Sequence, residues 1–363
     1  VVLMSMSQLL CRLWFMVVLV GLSGVANAQE SVSPVSNAPA LHPNPSSEGH
    51  PQGFSPSIQT MAVTPEGTLY AGSFGMGIFR SVDQGQSWEM WNVGLLDPFL
   101  LCLVFRPPDS IYAGTVRGGV FRLKLGDSRW ESVQTGLEQT EVRSLMVHRQ
   151  HLFAGTGTGV FRWDDASQRW SRLGKGLKQI LVAGLAMLDD RTLLAATAGK
   201  GLFRFDIEGP FEAKWVDFES VFVDPKERLP HRYLRVIAVN SQGNIFLGTQ
   251  NGGMFRSRNA GQTWEPIGRR LPNDSIRSIV PLGEDILVGT GNGIFRWVQA
   301  QRQWIPLNKG LHQKSIQTLL VTPTHEVYAG TSSGAFRSQD GEGNWVDVSH
   351  GFGMQTIPQG PYQ

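Results

Sequence analysis

Little in this chain of 363 residues can cross-link it, anchor it or give it a strong charge. It has two cysteines, Cys11 and Cys102, and Cys11 falls in an N-terminal leader, so no disulfide within the mature chain is expected and packing must supply the stability. Charge of one sign is missing as well: 32 Lys and Arg stand against 30 Asp and Glu, for a formal net charge of +2. With no broad basic field, nucleic acid is not an expected partner. The eight histidines are scattered without a His-x-x-x-His pair. His148 and His151 face each other across a polar hairpin turn, so no metal ligand set is read and no cofactor is expected. No stretch sustains a period of 3.6, which argues against helices. The one long apolar run, residues 13–25, is short for a bilayer span.

That run follows Arg12 and precedes the small-x-small triplet Ala26-Asn27-Ala28, the pattern of a cleaved secretory signal over residues 1–28. The expected location is therefore periplasmic or extracellular. Residues 29–56 are rich in Ser, Pro, Asn and Gly, with almost nothing apolar to offset ordering entropy, and read as a disordered linker.

What the chain does have is one phrase seven times over. A small-residue run leads to a glycine turn and then to an aromatic-arginine pair, at residues 71–80, 113–122, 154–162, 195–204, 247–256, 288–296 and 329–337. The Phe-Arg pairs begin at Phe79, Phe121, Phe161, Phe203, Phe255, Phe295 and Phe336, about 40 residues apart. Each phrase is preceded by an apolar run, starting near Ile58, Leu100, Val142, Leu181, Leu234, Ile276 and Ile316. Each is followed by a tryptophan, at Trp88, Trp130, Trp170, Trp215, Trp264, Trp304 and Trp345. Four strand-length segments per repeat and seven repeats predict an all-β fold: a seven-bladed β-propeller with four antiparallel strands per blade over residues 57–352. The Trp and Phe residues are expected to fill the spaces between blades. A frayed tail is expected at 353–363, and no strand exchange between first and last repeats is evident. One repeat is about ten residues longer, around residues 221–233, which predicts a charged, proline-bearing loop between blades four and five.

Between the Phe-Arg strand and the tryptophan lies a second motif. Ser81, Asp83, Gly85 and Trp88 fit S-x-D-x-G-x-[ST]-W at every fixed position. Ser257, Asn259, Gly261 and Trp264 match with asparagine for aspartate. Ser338, Asp340 and Trp345 keep the frame, with Glu342 where glycine is expected. Its local logic is a tight turn in which an Asp or Asn side chain accepts backbone N–H bonds. With these motifs the chain resembles the Asp-box, or bacterial neuraminidase, repeat superfamily, and in layout the photosystem II assembly-factor propellers. Residues 286–296 also look like the propeller repeats of bacterial sensor kinases. The superfamily resemblance implies a propeller with the Asp-box turns on its outer rim. The assembly-factor resemblance implies a non-enzymatic scaffold with an arginine-bearing face at a membrane surface.

Chemistry is not expected. A sialidase-like glycoside hydrolase is the alternative, but every Phe-Arg belongs to the repeat, and an arginine in all seven blades reads as structural rather than as a substrate clamp. Asp189 and Asp190, the obvious acidic pair that hydrolysis would require, sit in a turn. Residues 155–159, Gly-rich, lack the Lys and helix of a phosphate loop. No catalytic residue is assigned. What remains is the mouth of the central channel, where equivalent inner-strand positions carry Gln59, Leu101, Arg143, Arg235, Arg277 and Gln317, with blade four near Ala183. The long loop would add Lys226, Arg228, His231 and Arg232 on the same face. Arginine forks there suit an anionic or carboxylate-bearing partner. The expectation is a monomeric, exported scaffold that binds a protein, in one form a membrane-protein complex, with a glycan as the second ligand class. A sensor would also call for a membrane helix and a signalling domain.

Overall fold

The computed structural model describes residues 55–218, 229, 231–268 and 271–352. The expected signal segment, nearly all of the linker, Lys226 and Arg228 of the long loop, and the tail from 353 lie outside the described residues. Among the described residues there are seven four-stranded antiparallel sheets, each an up-and-down meander whose neighbours follow chain order. The inner strands are Ile58–Val63, Leu100–Arg106, Val142–His148, Val182–Met187, Leu234–Val239, Ile276–Leu282 and Ile316–Val321. Each contacts the next, and Ile316–Val321 contacts Ile58–Val63, which makes the sheets a closed ring of seven blades. Among the described residues no helix is long and apolar enough to cross a membrane.

The repeated phrase is the second strand of each blade with the turn after it. In all seven blades the last five residues of this strand are buried. Its terminal hydroxyl turns back to cap the next turn: Ser73, Thr115, Thr156, Thr197, Thr249, Thr290 and Thr331 donate to the carbonyls of Gly77, Gly119, Gly159, Gly201, Gly253, Gly293 and Gly334 at 2.7–3.1 Å. Those seven glycines all have positive φ, from 74° to 126°, a region that side chains with a Cβ seldom enter.

The small residue before the hydroxyl has a different reason. A Cβ on Gly114 would meet Cys102 Sγ at 2.5 Å and the carbonyl of Val142 in the next blade at 2.9 Å; one on Gly330 would meet the carbonyl of Ile58 at 2.7 Å. Glycine there lets the inner strand of the neighbouring blade approach. Blade four has Ala196 at this place, and its cross-strand partner is Gly184, where other blades carry Thr60, Cys102, Ser144, Val236, Ser278 or Thr318. The space is conserved by moving the missing Cβ across the ladder.

The core is seven apolar clusters, one between each pair of neighbouring blades. The tryptophans lie at these seams, as expected, and also tie them. Six indole N–H groups donate to a carbonyl where the outer strand of the preceding blade ends: Trp88 to Val348, Trp130 to Trp91, Trp170 to Val133, Trp215 to Leu173, Trp304 to Ile267 and Trp345 to Leu307, at 2.6–2.8 Å. The seventh, Trp264, packs partly buried with Phe218 in the seam between blades four and five.

Candidate functional site

The inner strands all break register at their start. In every blade one residue is skipped in the pairing with the second strand, and these residues are Gln59, Leu101, Arg143, Ala183, Arg235, Arg277 and Gln317. A bulge of this kind inserts one unpaired residue and re-aims its side chain. All seven bulge residues are half-buried at the channel end of strands that otherwise begin on fully buried positions. The equivalent positions read from the repeat are therefore one structural layer, and blade four contributes Ala183 to it.

The three arginines of this layer come from blades three, five and six, and their environments differ. Arg143 pairs with Glu141 two residues upstream, Nη2 to Oε1 at 2.5 Å. Arg277 reaches into blade seven, where its Nη1 donates to Ser315 Oγ at 2.9 Å and to the Ile316 carbonyl at 3.2 Å. Arg235 makes no hydrogen bond or ion pair to a described residue. Burial, then the charges of Arg277 and Arg143, bring its pKa down to about 10. The three arginines occupy equivalent bulge positions of one layer in the closed ring, and the charges of the other two act on Arg235. Burial also lowers the pKa of Arg277. The Nε atoms of Arg143 and Arg277 and the Oγ of Ser144 are buried without a hydrogen-bond partner. Gln59 donates to Ser57 Oγ at 2.8 Å. Two residues further along, Met61, Leu103, Ile237, Ile279 and Leu319 are buried and pack in the clusters between blades.

Arg228, expected beside this layer, lies outside the described residues. Arg232 and His231 are described and exposed. The Arg232 carbonyl accepts N–H bonds from Gly199 and Gly201 at 3.0 and 3.2 Å, which fixes the incoming chain to the glycine turn of blade four. Its guanidinium acts on Asp217, whose pKa burial raises against that charge. His231 packs on blade five, 6.0 Å from the Phe255 ring. The backbone of Arg232 thus has a bracing role.

The repeat arginines behave as structural groups. Arg80 pairs with Glu89 and lies 3.6 Å from the Trp91 ring centroid; Arg122 pairs with Glu131, Arg256 with Glu265, Arg296 with Asp285, and Arg337 with Glu326. Arg162 and Arg204 stack on Phe211 and Phe218. The Ser81–Trp88 turn is closed by Asp83, which accepts from Ser81 Oγ, Ser87 N and Ser87 Oγ at 2.5–3.0 Å, while Ser81 Oγ accepts from Gly85 N at 2.8 Å. Asn259 does the same for Ser257 and Thr263, and Asp340 accepts from Ser338, Glu342 and Asn344. Asp189 accepts from Arg191 N, Thr192 N and Thr192 Oγ1, and Asp190 pairs with Arg149 at 2.7 Å. Among the described residues no group of three or more His, Cys, Asp or Glu is placed to hold a metal ion.

No protein-family model matches the chain, and no curated protein does. Solved structures share its fold. The extracellular domain of BT4673 from B. thetaiotaomicron, named as a one component system, superposes with a TM-score of 0.64 at 18% identity, over 79% of this chain and 40% of that one. The extracellular domain of the hybrid two component system BT3049 from the same organism gives 0.62 at 16%, over 78% and 40%. The GH74 enzyme of Niastella koreensis gives 0.61 at 13%, over 83% of this chain and 55% of the enzyme. At these identities the likeness is one of fold, and this chain spans well under two thirds of each of these proteins. It is a seven-bladed β-propeller whose structural neighbours are extracellular propeller domains and a glycoside hydrolase.

Proposed function

We propose that the chain is an exported binding scaffold without catalytic activity, which engages a protein partner through the arginine-bearing mouth of its channel. The observation that carries this reading is Arg235. It is a half-buried guanidinium with no hydrogen-bond or ion-pair partner among the described residues, set beside two more arginines on a layer that a bulge re-aims in every blade. Desolvating a charge without pairing it costs free energy, and such sites are candidates for function rather than stability. The Asp-box character of the Ser81, Ser257 and Ser338 turns and the single-ring layout, similar to photosystem II assembly factors, support a scaffold. The extracellular domains among its structural neighbours support an exported binding role. A glycoside hydrolase remains the alternative reading, with glycan the alternative ligand, and the fold-level likeness to the GH74 enzyme is its support.

The test is affinity capture from an envelope extract of the native organism, with a folded triple variant Arg143→Glu, Arg235→Glu and Arg277→Glu as comparison. A protein held by the native chain and lost by the variant is the expected result. Equal capture by both would exclude the channel mouth as the binding face.

A further inference from the structure

We propose that the channel mouth is a site for a single oxyanion, a carboxylate or a phosphate, held by Arg235 and Arg277 with Arg143 facing them. This rests on the reading of the mouth as the binding face, and names the chemistry it recognises.

The protein itself supplies the comparison. Five of its seven repeat arginines, on the rim, come with a carboxylate, and the other two with an aromatic ring. In the channel one of the three arginines has a carboxylate, Glu141. The remaining two turn the other way: Arg277 uses one Nη on neutral oxygens, and Arg235 uses none of its donors on described residues. A fold that gives its buried or half-buried Arg80, Arg122, Arg256, Arg296 and Arg337 a carboxylate, and leaves the half-buried Arg235 without one among the described residues, has kept those donors for something else.

An oxyanion answers each feature. It accepts bidentate bonds from a guanidinium fork, and such charge-assisted bonds strengthen where water is partly excluded. It removes the repulsion that Arg277 and Arg143 exert on Arg235. The rest of the layer fits: Gln59 and Gln317 are neutral and can donate through their amides, while Leu101 and Ala183 bring no competing charge. A cation would meet three like charges.

The experiment is calorimetric titration of the folded protein with citrate and, separately, with inorganic phosphate, at pH 7.5 in low-chloride buffer, beside Arg235→Gln, Arg277→Gln and the rim variant Arg80→Gln. One-to-one binding of either anion is expected, weakened at least ten-fold by Arg235→Gln or Arg277→Gln and unchanged by Arg80→Gln. Tighter citrate binding points to carboxylates as the natural ligand chemistry, and tighter phosphate binding to phosphoryl groups. The proposal is overturned if neither anion binds, if both channel variants bind as the native chain does, or if Arg80→Gln weakens binding equally. Anion binding without protein capture would leave this site standing and remove the scaffold reading; capture that depends on the arginines without anion binding would do the reverse.

Discussion

Arg235 is held charged at a place that disfavours charge. A base whose pKa falls on folding is bound by its proton more tightly in the unfolded chain, so stability rises with pH between about 10 and the ordinary arginine value. At neutral pH the group is fully protonated and the cost is fully present, on the order of 1 kcal/mol after screening by channel water. Arg235→Gln is therefore expected to stabilise the anion-free protein, raising Tm by about 2–4 °C at low ionic strength and by less in high salt. A thermal melt with and without 0.5 M salt checks it, and a drop in Tm in both buffers would mean that the arginine stem packs more than its charge costs. The residue was legible in the sequence because its repeat position was. Its lack of a counter-ion was not, since Glu141 and Ser315, which serve its neighbours, come from linkers that do not repeat.

At the scale of the element, the outer turns show how one device tolerates different residues. Partial burial works against the Asp83 carboxylate, but the hydrogen bonds from Ser87 and Ser81 prevail and hold its pKa below the usual value. A depressed acid pKa contributes stability that is present above the ordinary carboxylate range and is lost as pH falls through the folded value. Asp340, bonded from Glu342, Asn344 and Ser338, is shifted in the same direction. In blade five Asn259 accepts two of the equivalent bonds without a charge and donates the third, from Nδ2 to Thr263 Oγ1 at 3.0 Å. Asp83→Asn should therefore leave Tm at pH 7 within about 1 °C and flatten its decline below pH 4. A series of melts from pH 7 to pH 2.5 tests this, and an unchanged acid limb would show that Asp83 titrates without bearing on stability. The blade elements were readable because periodicity, turn residues and the Trp position agree in every repeat. The bulge at each inner strand was not, since it changes a register without changing the residue pattern, and neither was the exchange of Gly184 for the usual glycine at Ala196.

A ring must close, and this one closes without exchanging a strand, as the repeat pattern suggested. On one side of the seam the carbonyls of Pro56 and Ser55 accept from Gly334 N and Ser333 Oγ. On the other, residues after the last strand fold back onto blade one: Trp88 Nε1 and N donate to the carbonyls of Val348 and His350, at 2.7 and 3.1 Å. Phe352, fully buried, stacks on Trp88 with centroids 4.8 Å apart and meets Phe79 edge-on at 5.0 Å. It stands seven residues after Trp345, as Leu95, Leu137, Leu177, Leu271 and Leu311 stand seven after the tryptophans of their blades, so it is the last repeat position before the tail. Blades two to seven begin with a chain already delivered from the blade before. Blade one lacks that covalent neighbour, and Phe352 fills the place from the far end. Phe352→Ala removes a buried ring from the one seam not supported by chain continuity, which should cost about 3–5 kcal/mol. The loss is expected to be global, because opening one seam exposes both of its faces and frees the ring. Denaturant unfolding should thus remain a single transition at a lower midpoint, followed together by tryptophan fluorescence and far-ultraviolet circular dichroism. Two separated transitions would show instead that blade one detaches while the other six hold, and that closure is not what makes the seven blades one cooperative unit.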